Sequence, residues 1–165
     1  MDSDAIQELA RRCTREQFCM RFSSWFLAVK VDAQTDDEEK IGFETAVVDY
    51  RDDKLKRSEN EWEVLELAKA RGNPYPDRIS IGRARNCDVV MRDPSVSKLH
   101  AHFRSRTGGW ELVDLGSANG TRVDGAPLAP NQAHPVQSGA QVEFGTVACK
   151  LVDAGALYDL LQFGA

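Results

Sequence analysis

A chain of 165 residues with 42% hydrophobic and 28% charged positions has room for one ordinary domain plus an extension, and can bury a core without covalent staples. Its formal net charge of −5 argues against a general nucleic-acid binder. The opening Met1-Asp2-Ser3-Asp4 lacks a signal-peptide pattern. The most apolar stretch, Phe18 to Val31, is broken by Arg21 and Lys30 and is too short and too charged to span a bilayer. Cytoplasm is the expected compartment. The four cysteines, Cys13, Cys19, Cys87 and Cys149, have neither CxxC spacing nor a histidine at metal-ligand distance. A reducing environment is therefore expected, with no metal or other cofactor.

Charge is unevenly placed. Residues 1–60 carry 10 Lys+Arg against 14 Asp+Glu, and residues 61–165 carry 11 against 12. Seven of those last 11 cations (Arg78, Arg83, Arg85, Arg92, Lys98, Arg104 and Arg106) fall within residues 78–106. A nearly neutral segment can thus present a basic face, although Arg92, Arg104 and Arg106 read as scattered solubilising charge.

In chain order, Ile6, Leu9, Ala10 and Cys13 recur at helical spacing and predict one helix over 4–20, capped by Asp2 or Ser3. Trp25 to Val31 reads as a strand, 32–40 as a charged loop, and 43–50 as a second strand pairing with the first. Residues 51–60 read as a linker. The texture then changes. Trp62 to Leu67 alternates apolar and acidic residues as a half-buried strand would, with helix the competing reading because Ala68, Lys69 and Ala70 follow, and strands are predicted over 78–81, 89–92, 99–104, 110–115, 121–123, 141–144 and 147–152. Gly108-Gly109, Asn119-Gly120, Asp124-Gly125 and Ser138-Gly139 punctuate them. Many short strands without a long intervening helix indicate an all-β sandwich or barrel. A short terminal helix follows, capped by Asp153 and carrying Leu157, Leu160 and Leu161 on one face. The predicted organisation is an N-terminal α/β extension over 1–58, a β domain over 59–153 and a C-terminal helix over 154–165.

Several donors fall at loop positions of the β domain. Arg83 follows Gly82 at the end of an apolar strand, where its always-charged, fork-shaped guanidinium suits a phosphoryl group. Glycine there is expected to let the backbone turn. Ser97 offers a hydroxyl and Lys98 a mobile charge, and the His100 imidazole is placed to bond loop backbone and hold Ser97. Asn119 carries both a donor and an acceptor for an extended peptide. Singly, each motif has a bland explanation: Gly-Arg a turn with a solvated arginine, Ser97 a turn cap, His100 a half-buried strand residue, and Asn119-Gly120 a hairpin turn. The local motif contains no acid to orient His100 and no nucleophile elbow, which argues against an enzyme.

Jointly, Ile81-Gly82-Arg83-x-x-Asn86-x-Asp88-Val89, Val96-Ser97-Lys98-x-His100-Ala101, Trp110-x-Leu112-x-Asp114-Leu115-Gly116-Ser117-x-Asn119-Gly120-Thr121, and then Gly139, Phe144 and Gly145 resemble the forkhead-associated (FHA) domain family from about Trp62 to Val152. The resemblance implies a two-sheet β-sandwich whose loops at one end bind phosphothreonine peptides. Arg83, Ser97 and Lys98 would contact phosphate and Asn119 the peptide main chain, while Gly82, His100 and Gly120 would support the loops. Two departures stand out. Ala118 occupies a position where many members carry a hydroxyl. Ser95 stands where some place a charged residue that reads the peptide. Arg85, Ser95 and Ala118 are the candidate specificity positions. The resulting expectation is a non-enzymatic phosphothreonine-peptide adaptor in Ser/Thr-kinase signalling. Its partners would be phosphothreonine proteins of such a pathway, with neither nucleic acid nor membrane insertion. The alternative is a phospho-independent assembly module on the same sandwich.

Overall fold

Two helices open the chain where periodicity predicts one. The computed structural model, which describes residues 1–31, 62–107 and 109–164, has α1 over Ser3–Arg12 and α2 over Arg15–Arg21. Asp2 caps α1 by accepting from the Ala5 N–H at 2.8 Å. The break comes at Cys13, whose backbone is extended, and Thr14 starts α2 with a reciprocal capping box to Gln17. The apolar spacing of Ile6, Leu9, Ala10 and Cys13 resumes only at Phe18, after four polar residues, and the Thr-x-x-Gln pair in that gap satisfies the free N–H groups of a new helix start.

The strands form two sheets. Sheet one has six strands: β1 (Phe26–Lys30), β2 (Trp62–Glu66), β7 (Thr121–Val123), β8 (Ala126–Pro127), β10 (Gln141–Phe144) and β11 (Val147–Val152), in the order β2-β1-β11-β10-β7-β8. Sheet two has β3 (Ile79–Gly82), β4 (Val89–Val90), β5 (Ala101–Arg106), β6 (Gly109–Asp114) and β9 (Ala133–Val136), in the order β4-β3-β5-β6-β9. Among the described residues every pairing is antiparallel except β3 with β4, which sets Gly82 opposite Val90. The expected strand over 43–50, the loop over 32–40, the linker over 51–60 and Gly108 of the Gly-Gly turn lie outside the described residues.

Composition alone hides two strands. β8 and β9 carry Pro127 and Pro135 and no apolar alternation, because both are sheet edges, where a missing N–H costs little. Among the described strands the other edges are β4, only two residues long, and β2. Along β2, Gln7 Nε2 donates to the Trp62 carbonyl at 2.8 Å and the Ser3 hydroxyl accepts from Val64 N–H at 2.9 Å. Helix α1 therefore occupies hydrogen-bonding groups that an exposed edge would offer to another chain.

Between the sheets Leu27, Ile81, Phe103, Leu112, Val142, Phe144 and Leu151 are fully buried, and the Phe103 and Phe144 rings meet edge to face at 6.4 Å. A second core lies on the far side of sheet one. There Ile6, Ala10, Phe18, Phe22, Phe26, Val64, Val152 and Leu157 pack together beneath α1, α2 and α3 (Ala154–Phe163). Strand β1 serves both cores, since alternate residues face opposite ways. Helix α3 is capped by Asp153, which accepts from Ala156 N–H at 2.8 Å. It is tied to the N-terminal helices by the Arg15–Asp159 fork at 2.9 and 3.2 Å and by Tyr158 Oη on the Cys13 carbonyl. Leu157 and Leu160 are buried and Leu161 is half-buried. All four cysteines are free, and burial pushes the Cys149 thiol up to about 12.

Candidate functional site

Four successive carbonyls, those of residues 95–98, organise one end of the sandwich. The Ser95 carbonyl accepts from Asn119 Nδ2 at 2.8 Å and that of Val96 from Arg83 Nε at 3.1 Å. The Ser97 carbonyl accepts from Arg83 N–H at 2.9 Å and that of Lys98 from Ala84 N–H at 3.0 Å. One short loop thus gathers Arg83 from the end of β3 and Asn119 from the β6–β7 connection. Arg83 spends its inner Nε on this anchor, which keeps the planar fork oriented and leaves its terminal nitrogens for an oxyanion.

Gly82 is required by proximity. Its backbone is not left-handed, but a Cβ there would collide with the Lys98 carbonyl oxygen. This corrects the expectation of a glycine-dependent turn: the strand must touch the loop, and only hydrogen fits between them.

Ser97 and His100 form a second layer. The Ser97 Oγ accepts from Ala118 N–H at 3.0 Å, so its own proton remains to donate. His100 is fully buried; its Nδ1 accepts from Ser97 N–H at 3.0 Å and its Nε2 lies 3.1 Å from the Gly120 carbonyl. With Nδ1 accepting, the proton sits on Nε2, which donates to Gly120. Burial holds this imidazole below its ordinary range, against the opposing pull of the Gly120 bond and the nearby Asp114 charge. The ring is thus neutral, with both nitrogens used, and it links the Ser97 loop to the Asn119-Gly120 loop.

Asn119-Gly120 is not a hairpin. β6 belongs to sheet two and β7 to sheet one, so the segment crosses between sheets. The hairpin turn comes one strand later, where Asp124 and Gly125 both have positive φ, at 50° and 83°. Gly120 has φ 80°, and its carbonyl also accepts from Gly145 N–H at 3.0 Å. The crossing is fixed from below by Asp114, a buried carboxylate that accepts from Gly116 N–H, Ser117 N–H, Ser117 Oγ and Thr121 Oγ1 at 2.6–3.0 Å. Burial works against its charge, but these bonds prevail and hold its carboxyl below the usual range.

Arg83, Lys98, Ala118, Asn119 and Arg85 are solvent-exposed, and Ser95 and Ser97 are half-buried. Arg83, Ser95, Ser97, Ala118 and Asn119 are joined directly by the bonds above. Lys98 flanks them through its backbone. Asp93, Asp114 and Thr146 support the site without being among the residues that the sequence marks for it. Asp114 was signalled by the Asp-x-Gly-Ser turn that follows it, whereas the Thr146 contact with Ser95 spans 51 residues and leaves no local signature.

Residues 79–145 match the FHA domain family model. Over 64 residues the chain is 39% identical to an oxoglutarate dehydrogenase inhibitor of Corynebacterium diphtheriae, covering 39% of this chain and 43% of that protein. Over 66 residues it is 36% identical to the glycogen accumulation regulator GarA of Mycolicibacterium smegmatis, covering 40% of each. The chain thus spans less than half the length of these relatives. Among solved structures, an FHA domain from Chlamydia trachomatis superimposes with a TM-score of 0.52 at 21% identity, covering 79% of this chain and 98% of that one. An FHA domain solved in a study of phosphothreonine-dependent FHA domain interactions gives 0.50 at 20%, covering 79% and 96%. Residues 79–145 therefore match the FHA domain, within a fold like that of solved FHA domains. The arginine, serine, histidine and asparagine-glycine positions described above all lie within the matched segment.

Proposed function

We propose that the protein is a phosphothreonine-peptide reader, a docking adaptor in Ser/Thr-kinase signalling that works by binding and not by turnover. A phosphothreonine brings about −1.5 to −2 charges and three strong acceptor oxygens. Arg83 supplies the fixed cation, Ser97 a neutral donor and Lys98 a mobile charge. Asn119 holds the peptide main chain. One observation carries the reading: Arg83, Ser97 and Asn119 come from three separate segments, yet all are tied to residues 95–97 or the adjacent Ala118 N–H with donor capacity to spare. The FHA match and the resemblance of the fold to phosphothreonine-dependent relatives support it. No helix among the described residues is long and apolar enough to cross a membrane, and the cytoplasm is the proposed setting.

Titration with matched phosphorylated and unphosphorylated threonine peptides tests this. Charge-assisted hydrogen bonds contribute about 1.5–3 kcal/mol each, so Arg83→Ala should weaken phosphopeptide binding at least about tenfold. Equal affinity for the two peptides would transfer the function to phospho-independent assembly.

A further inference from the structure

We infer that Ser95 and Thr146 are positioning residues that aim the Asn119 carboxamide at a bound peptide's main chain, which makes the β10–β11 turn part of the recognition site. The inference rests on the phosphopeptide reading and adds a second, separately testable layer to it.

The hydroxyl of Ser95 is fully used inside the protein. It donates to Asp93 Oδ1 at 2.6 Å and accepts from Thr146 N–H at 3.0 Å and Thr146 Oγ1 at 2.9 Å. One proton and two lone pairs are all a serine hydroxyl has, so nothing remains for a ligand. Asp93 Oδ1 also accepts from Ser95 N–H at 2.8 Å. Side chain and backbone of Ser95 are thereby locked, and its carbonyl is turned towards Asn119 Nδ2 at 2.8 Å. A carbonyl can only accept, so the amide nitrogen of Asn119 must face it. That leaves Asn119 Oδ1 and the second N–H directed elsewhere. These are the acceptor and donor that an extended peptide needs for its own N–H and C=O.

The turn between β10 and β11 is fitted to this task. Gly145 has φ 61°, and a Cβ there would lie 2.5 Å from the Ser95 carbonyl oxygen and 2.6 Å from its Oγ. The Gly145 N–H in turn pins the Gly120 carbonyl. The turn therefore grips the Asn119-Gly120 crossing directly, and again through Ser95. Thr146 is exposed, and its hydroxyl bond to Ser95 is a device that a sandwich core does not need.

Calorimetric titration of the full chain with a phosphothreonine peptide tests the assignment. Thr146→Val removes the hydroxyl at an exposed site and should weaken binding about threefold to tenfold, while Thr146→Ser should restore it. Ser95→Ala should do the same, with Thr146→Val carrying the test if Ser95→Ala fails to fold. In an Asn119→Ala background, Thr146→Val should change affinity less than about twofold, because its effect passes through Asn119. Wild-type affinity in Thr146→Val, or an equal loss with and without Asn119, would overturn the inference while leaving Arg83→Ala still deleterious. If the phosphopeptide reading itself were wrong, wild type would not discriminate the phosphorylated peptide and Arg83→Ala would change nothing.

Discussion

Histidine titration gives the most direct residue-level test of this architecture. Burial holds His100 below the ordinary imidazole range. It does the same to His102, where the Arg78 and Arg104 charges lower it further and Asp77 opposes. The unfolded chain then takes up protons at higher pH than the folded one. The stability contributed by the neutral rings is complete above the unfolded imidazole value of about 6.5 and is lost as pH falls through it towards the folded values. Asp88 and Asp114 act in a lower window. Burial opposes their charge, but their hydrogen bonds hold both below the usual carboxylate range. Their contribution is present above about 3.9 and fades as pH drops through the folded values. The urea midpoint should therefore fall in two stages on acidification, and a midpoint that stayed flat from pH 7 to 5 would contradict the first. Gly82→Ala is the steric counterpart. The added Cβ must displace the Lys98 carbonyl, so we expect a loss of about 1–3 kcal/mol by denaturant titration together with weakened phosphopeptide binding.

Individual elements show which signals local sequence carries. The strands over 121–123 and 141–144 were readable from alternation, because each has one face in the core and one outside; the strand over 147–152 alternates until Val152, which enters the second core. β5 runs over Ala101–Arg106 instead of 99–104, since residues 97–100 are recruited into the loop that holds Arg83. The division of the predicted N-terminal helix was legible in Thr14 and Gln17 and in the polar gap between Cys13 and Phe18. Thr14→Ala should remove that capping box and lower stability by about 1 kcal/mol, measurable as a reduced denaturant midpoint with phosphopeptide affinity unchanged.

Across the whole molecule, the FHA-matched segment 79–145 contains neither β1, β2 nor β11. Yet these three strands make up half of the six-stranded sheet. β1 pairs with β11 over Phe26↔Val152 to Val29↔Cys149 and with β2 over Phe26↔Glu66 to Lys30↔Trp62. Removing residues 1–58 would strip β1 from the middle of that sheet and uncover Val64, Val152 and Leu157. At roughly 1.5–3 kcal/mol per large apolar side chain lost from a core, we expect Tm to drop on the order of 10 °C or more, or the fragment to aggregate. A truncated chain as stable as the full one would show the N-terminal region to be dispensable.

By itself the sequence determined which donor-bearing residues stand at loop positions of the β domain and in what order. The Gly-Arg, Ser-x-x-His and Asn-Gly signals are short, and each depends on local backbone chemistry. It also determined the β character of residues 62–152, because period-two burial is written directly into alternation. Tertiary structure alone decided that Asn119-Gly120 is a sheet crossing, that Gly82 is needed for contact and not for turning, and that Ser95 joins Thr146. Each of these depends on segments distant in the chain being brought within van der Waals or hydrogen-bonding range, and a contact between such segments exists only once the sandwich has closed.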